Sequence, residues 1–118
     1  MLKQETYELR LNKEPFESIK NGTKTVELRL YDEKRQLINI GDFIIFKERD
    51  NEENQIKVIV QDVDVYLNFE DLYKNYDKIE MGYKKDEVAD PKDMEKYYSK
   101  EEQSKYGVVA IRVELVKE

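Results

Sequence analysis

The chain has no cysteine and no histidine. Without cysteine there is no disulfide framework and no thiolate chemistry. Without histidine the commonest general base near neutral pH is missing, as is the commonest zinc ligand. No metal and no other cofactor is expected. Glycine and proline number only four and two, and no linker or internal repeat is evident. No apolar run approaches the roughly 20 residues that span a bilayer. The first residues, Met1-Leu2-Lys3-Gln4-Glu5, lack the apolar core of a secretory signal. A cytoplasmic protein with no membrane partner is the expectation.

What is present suits one compact domain over residues 1–118. Apolar residues make up 39% of the chain, enough for one core, and charged residues 41%. The net charge of -6 argues against wholesale attraction to nucleic acid or anionic lipid. The charge is uneven. Residues 20–36 carry five cations (Lys20, Lys24, Arg29, Lys34, Arg35) against three acids (Glu27, Asp32, Glu33), a local +2 that leaves -8 on the rest. A small basic patch on an acidic body fits a selective pocket better than a sliding nucleic-acid binder.

Taken in order, Tyr7, Leu9 and Leu11 alternate with polar residues as a first strand. Asn12 precedes a short helix with Pro15, Phe16 and Ile19, closed by Asn21-Gly22. After a helical turn near 32–38 and a turn at Asn39-Ile40-Gly41-Asp42, Phe43 to Phe46 is apolar on both faces. Asp50 to Asn54 is expected as a polar hairpin tip. Gln55 to Val65 is a long strand whose apolar phase slips near Gln61-Asp62, the mark of a bulge. Asn68 opens a helix with Phe69, Leu72 and Tyr73. Residues 77–90 are irregular and charged, a candidate flap anchored at Met81-Gly82-Tyr83. Asp90-Pro91 opens another helix, whose Met94, Tyr97 and Tyr98 are spaced for a core face. Ser99-x-x-Glu102 is a capping box, and Val108 to Val116 closes the chain as a strand. About five strands without regular strand–helix alternation favour a mixed, mostly antiparallel barrel.

The stretch from Gly22 to Arg35 carries the most chemistry. Val26, Leu28 and Leu30 fall on one face of a strand, and Thr25, Glu27, Arg29 and Tyr31 on the other. Lys24 sits at its mouth. Three readings are open: an amphipathic strand with a solvated charged face, a pre-paired Lys/Glu/Arg cluster that binds a polar or anionic ligand, or an acid/base apparatus. Lys24 and Arg29 suit phosphate or carbonyl groups, and Glu27 an amine edge or a water. Tyr31 offers a ring for packing or base stacking. Lys34 and Arg35 are an exposed basic pair, and Gly22 shapes the turn that enters the strand.

The spacing Gly22-x-Lys24-x-x-Glu27-x-Arg29, followed by a Gly41-Asp42 turn and an apolar strand, resembles the signature of ASCH domains. The similarity extends through Tyr106-Gly107-Val108-Val109 and matches small single-domain bacterial members. The resemblance implies an α+β, mostly β fold: a PUA-like small mixed β-barrel of about five to six strands, with short helices packed at its ends. It implies RNA, a nucleotide or a modified nucleoside as partner, held by a monomer or weak dimer in a cleft over this motif. Gly22, Lys24, Thr25, Glu27, Arg29, Tyr31, Lys34 and Arg35 would then be ligand-binding. A second implied activity is metal-free hydrolysis, either deacylation of N4-acylated cytidine or RNA cleavage, with Lys24 and Glu27 catalytic. In the amidohydrolase branch that Lys24 resembles, a catalytic threonine stands where this chain has Glu27.

Overall fold

The computed structural model describes residues 3–117. Its frame is one five-stranded sheet in the order β1-β3-β4-β5-β2. The strands are β1 (Thr6–Leu11), β2 (Val26–Leu30), β3 (Phe43–Glu48), β4 (Asn51–Tyr66) and β5 (Val108–Leu115). Strands β1 and β3 pair in parallel, and every other pair is antiparallel. The expected mixed, mostly β architecture is therefore present, as a curled half-barrel whose edges are β1 and β2. Helix α1 (Lys13–Lys20) carries the chain from one edge strand to the other.

The alternation read in the sequence decides which face each strand buries. Directly paired residues of an antiparallel ladder share a face. Val109, Ile111 and Val113 of β5 join Leu9, Leu11, Phe16, Ile19, Ile44, Phe46, Val58 and Val60 in one cluster on the inside of the curl. Val108 and Ala110 join Val26, Leu28, Leu30, Phe69, Leu72 and Met81 in a second cluster on the outside. Helix α1 supplies Phe16 and Ile19 to the first; α2 (Phe69–Tyr73) supplies Phe69 and Leu72 to the second. The phase slip in β4 is a bulge, seen as a register shift between Val60 and Asp62. It puts Val63 opposite Ile111, so the strand continues past the extra residue with its apolar side still inward.

Local signals explain the remaining elements. Asn21 ends α1 in a helical conformation, and Gly22 follows at φ 88°, which glycine alone adopts cheaply. The Asp42 carboxylate ties the turn before β3 to the N-terminus by accepting from the Asn39 and Glu5 amides at 2.8 and 3.1 Å. The Ser99 capping box is formed and starts α3 (Lys100–Tyr106). Two expectations need correction. Residues 51–54 are not a loop tip: β4 already begins at Asn51, and the reversal is confined to Arg49 and Asp50, with a second register shift beside Lys47. Pro91–Lys96 forms a 3-10 helix, whose tighter winding breaks the spacing assumed for a core face. Met94 and Tyr98 still pack against the second cluster, while Tyr97 is 59% exposed.

Candidate functional site

Glu27 and Arg29 pair with Ile111 and Val109 of β5, so they point to the inside of the curl. They do so on an edge strand, where the curl stays open towards β1. The amphipathic reading of β2 fails at this point, because all five of its residues are buried. Glu27 is 3% exposed, Arg29 8% and Lys24 9%. Lys24 precedes the regular strand. Thr25 and Val26 donate their amides to the Glu80 carbonyl at 2.9 and 3.0 Å, and the Thr25 carbonyl accepts from Val113 of β5 at 2.9 Å. From the mouth of the strand the Lys24 stem reaches Glu27.

The three side chains form a closed ion-pair cluster. Lys24 Nζ lies 2.9 Å from Glu27 Oε1, and Arg29 Nε lies 2.7 Å from Glu27 Oε2. Arg29 Nη2 donates to the Arg10 carbonyl of β1 at 2.7 Å. The guanidinium thus bridges the two sheet edges that no ladder joins. Burial alone would raise the Glu27 pKa, but the two adjacent cations outweigh it and hold the carboxyl at about 2. Burial disfavours the Arg29 cation, but Glu27 and the Tyr98 hydroxyl raise its pKa overall. The carboxylate is ionised at any physiological pH and has both oxygens engaged. The cluster keeps a net charge of +1. An ammonium has three donor protons and a guanidinium five, so donors remain for a ligand while Glu27 is spent inside the cluster.

This cluster opens on a cavity of about 500 Å³ lined also by Arg49, Tyr73, Gly82, Tyr83, Asp93, Tyr97 and Tyr98. The segment from Gly82 to Tyr98 walls it. Gly82 (φ 106°) lets the chain lie against the lysine; a Cβ there would stand 3.0 Å from Lys24 Cδ. Further along, the Tyr73 and Tyr83 hydroxyls are 2.8 Å apart, and Tyr83 donates to Asp93 Oδ2 at 2.7 Å. Burial and these neighbours raise the Tyr83 pKa well above that of a free phenol. Tyr98 stacks on Phe69 with ring centroids 6.2 Å apart.

Of the eight residues expected to bind ligand, Lys24, Glu27 and Arg29 converge and the other five lie outside the cavity lining. Tyr83, read as an anchor, and Tyr97 and Tyr98, whose sequence spacing favours a core face, lie in it. Gly22 is an exposed turn residue. Thr25 Oγ1 is buried with no hydrogen-bond partner among the described residues. Tyr31 packs against the inner core cluster. Lys34 is exposed, and Arg35 is paired with Asp32 at 2.8 Å. Asp93 opens a stretch, Asp93 to Ser99, that shares the family resemblance, but nothing there marks it as a site residue, and the Arg10 carbonyl has no signal in principle. Among the described residues no group of three or more carboxylate side chains is placed to hold a metal ion. No helix there is long and apolar enough to cross a membrane.

The sequence matches the ASCH domain family over residues 9–117. The chain belongs to that family. The crystal structure of the hypothetical protein PH0355 is similar to this ASCH domain at 34% identity, covering 94% of this chain and 99% of that one, with a TM-score of 0.79. The solution structure of protein PF0455 from Pyrococcus furiosus is 32% identical over 96% of this chain and 99% of that one, with a TM-score of 0.68. The crystal structure of ASCH from Zymomonas mobilis shares the fold at 17% identity and a TM-score of 0.66, covering 91% of this chain and 65% of that one. No curated protein matches the chain.

Proposed function

We propose that this ASCH domain binds a nucleotide, a modified nucleoside or the end of an RNA strand in the cavity beside β2. The observation that carries the reading is the closed cluster itself. Lys24 and Arg29 are buried, fixed by Glu27 and left with spare donors, so they favour ligands rich in oxygen acceptors. Pre-fixing matters because less side-chain freedom is lost when the ligand arrives. A cavity of about 500 Å³ falls in the size range of small-ligand sites. Tyr97, exposed on its rim, offers an aromatic face to a planar base.

The hydrolase reading finds less support in the same geometry. A carboxylate held near pKa 2, with both oxygens in ion pairs, is a weak proton acceptor at neutral pH. Both readings are tested by a proton NMR time course with acetylated cytidine, beside cytidine monophosphate and a protein-free control. Broadening of ligand lines without free acetate is expected, with the broadening lost in Lys24→Gln. Acetate release above the control would overturn the binding-only reading and return Lys24 and Glu27 to a catalytic role.

A further inference from the structure

One part of the cavity lining is not used by the cation cluster. Asp93 presents its two carboxyl oxygens on the cavity wall as hydrogen-bond acceptors. Its Oδ2 receives the Tyr83 proton at 2.7 Å. Its Oδ1 receives no hydrogen bond from the described residues, and the carboxylate joins no ion pair with them. Tyr83 has one proton, directed to Asp93 Oδ2 at 2.7 Å with the Asp90 carbonyl farther off at 3.3 Å, so in the 2.8 Å contact the donor is Tyr73. The result is a directed chain, Tyr73 to Tyr83 to Asp93, which fixes one carboxylate oxygen and leaves the other open. The same wall touches the cation cluster on both sides of Asp93 in sequence. Gly82 lies on the Lys24 stem, and Tyr98 lies beside the Arg29 guanidinium. One cavity therefore offers two fixed cationic donors and one open, oriented acceptor.

We propose that Asp93, oriented by Tyr83, reads an amine on the bound base, so that the cavity selects bases carrying both a carbonyl oxygen and an exocyclic amine. This rests on the nucleobase reading above and adds the specificity that it lacks. Cytosine and guanine carry both groups. Adenine has the amine but no carbonyl for Lys24 and Arg29. Uracil has carbonyls but no exocyclic amine for Asp93. Adenine meets Lys24 and Arg29 only with ring nitrogens, and uracil meets Asp93 only with a ring N–H set between two carbonyls, so each makes a poorer set of bonds, at an expected cost of about tenfold in affinity.

Isothermal titration with CMP, GMP, AMP and UMP tests this, with inorganic phosphate as the control for binding through phosphate alone. The full chain is expected to bind CMP or GMP about tenfold more tightly than AMP and UMP. Asp93→Asn, which keeps the shape but replaces one acceptor oxygen with an amide donor, should compress that preference to within about threefold. Tyr83→Phe, which frees the carboxylate to turn, should reduce the preference by weakening CMP and GMP more than UMP. Melting curves for both variants establish that they are folded. A preference that survives in Asp93→Asn would overturn the role of Asp93. Equal binding of all four nucleotides by the unmutated chain would do the same and leave the nucleobase site standing. No binding beyond that of inorganic phosphate would remove the nucleobase reading and this proposal together.

Discussion

Glu27→Gln is the most informative single change, because the structure fixes its direction, its size and its pH dependence. The substitution keeps the shape and removes the charge between Lys24 Nζ at 2.9 Å and Arg29 Nε at 2.7 Å. Two buried cations are then left facing each other without their counter-ion. Removing one partner of a buried ion pair costs about 3–5 kcal/mol. A second route gives a similar size. The Glu27 pKa is lowered from 4.5 to about 2, which corresponds to about 3 kcal/mol of stability. Because the folded-state value is the lower one, that stability is fully present above about pH 4.5. It is lost as the pH falls towards 2. In a protein of 118 residues a 3–5 kcal/mol loss lowers Tm by roughly 12–20 °C. Thermal melts of both proteins at pH 7, 5, 4 and 3 make the assay. The gap should be widest at pH 7 and shrink by about 2 kcal/mol at pH 3, where the unfolded-state glutamate is protonated while the folded one is still mostly ionised, so unfolding takes up a proton. A gap below about 1 kcal/mol at pH 7 would refute the reasoning, as would one that does not change with pH.

Two more outcomes follow from the same geometry. Arg29→Lys keeps the charge but cannot hold Glu27 and the Arg10 carbonyl together, so it should cost about 1–3 kcal/mol. Hydrogen exchange should then show faster opening of the β1 and β2 edges than of β4. Gly82→Ala forces a Cβ into a φ of 106° and to within 3.0 Å of Lys24 Cδ, with an expected loss of about 1–2 kcal/mol. It should also weaken ligand binding by displacing the lysine, seen as a rise in Kd for CMP.

Much of the frame was legible because it rests on local rules. The period of two in β5, the slip in β4, Gly22 after α1 and the Ser99 capping box each act within a few residues of where they are written. The tip of the β3–β4 hairpin was misplaced because a pairing between strands extended the ladder into a polar segment that pattern alone assigns to a turn. Lys24, Glu27 and Arg29 stood out as an ordered string of charge. That they are buried did not, since an alternating strand normally leaves one face in water. The burial comes from distant parts: the Glu80 carbonyl on the edge of β2, the Gly82–Tyr98 segment over the cluster, and the Arg10 carbonyl across the seam. Asp93 gains its place only when Tyr83, ten residues earlier, comes within 2.7 Å of it.

The central claim is that the cavity beside β2 is a binding site built on Lys24 and Arg29. An amide-resolved NMR titration of the unmutated protein with CMP tests it most directly, with a short single-stranded RNA as second ligand. The account predicts shifts that saturate and concentrate on Lys24, Glu27, Arg29 and the Gly82–Tyr98 wall, with little change around Lys34, Arg35 and α3. Shifts centred on Lys34 and Arg35 and sparing Lys24 to Arg29 would contradict it, as would a spectrum unmoved by either ligand.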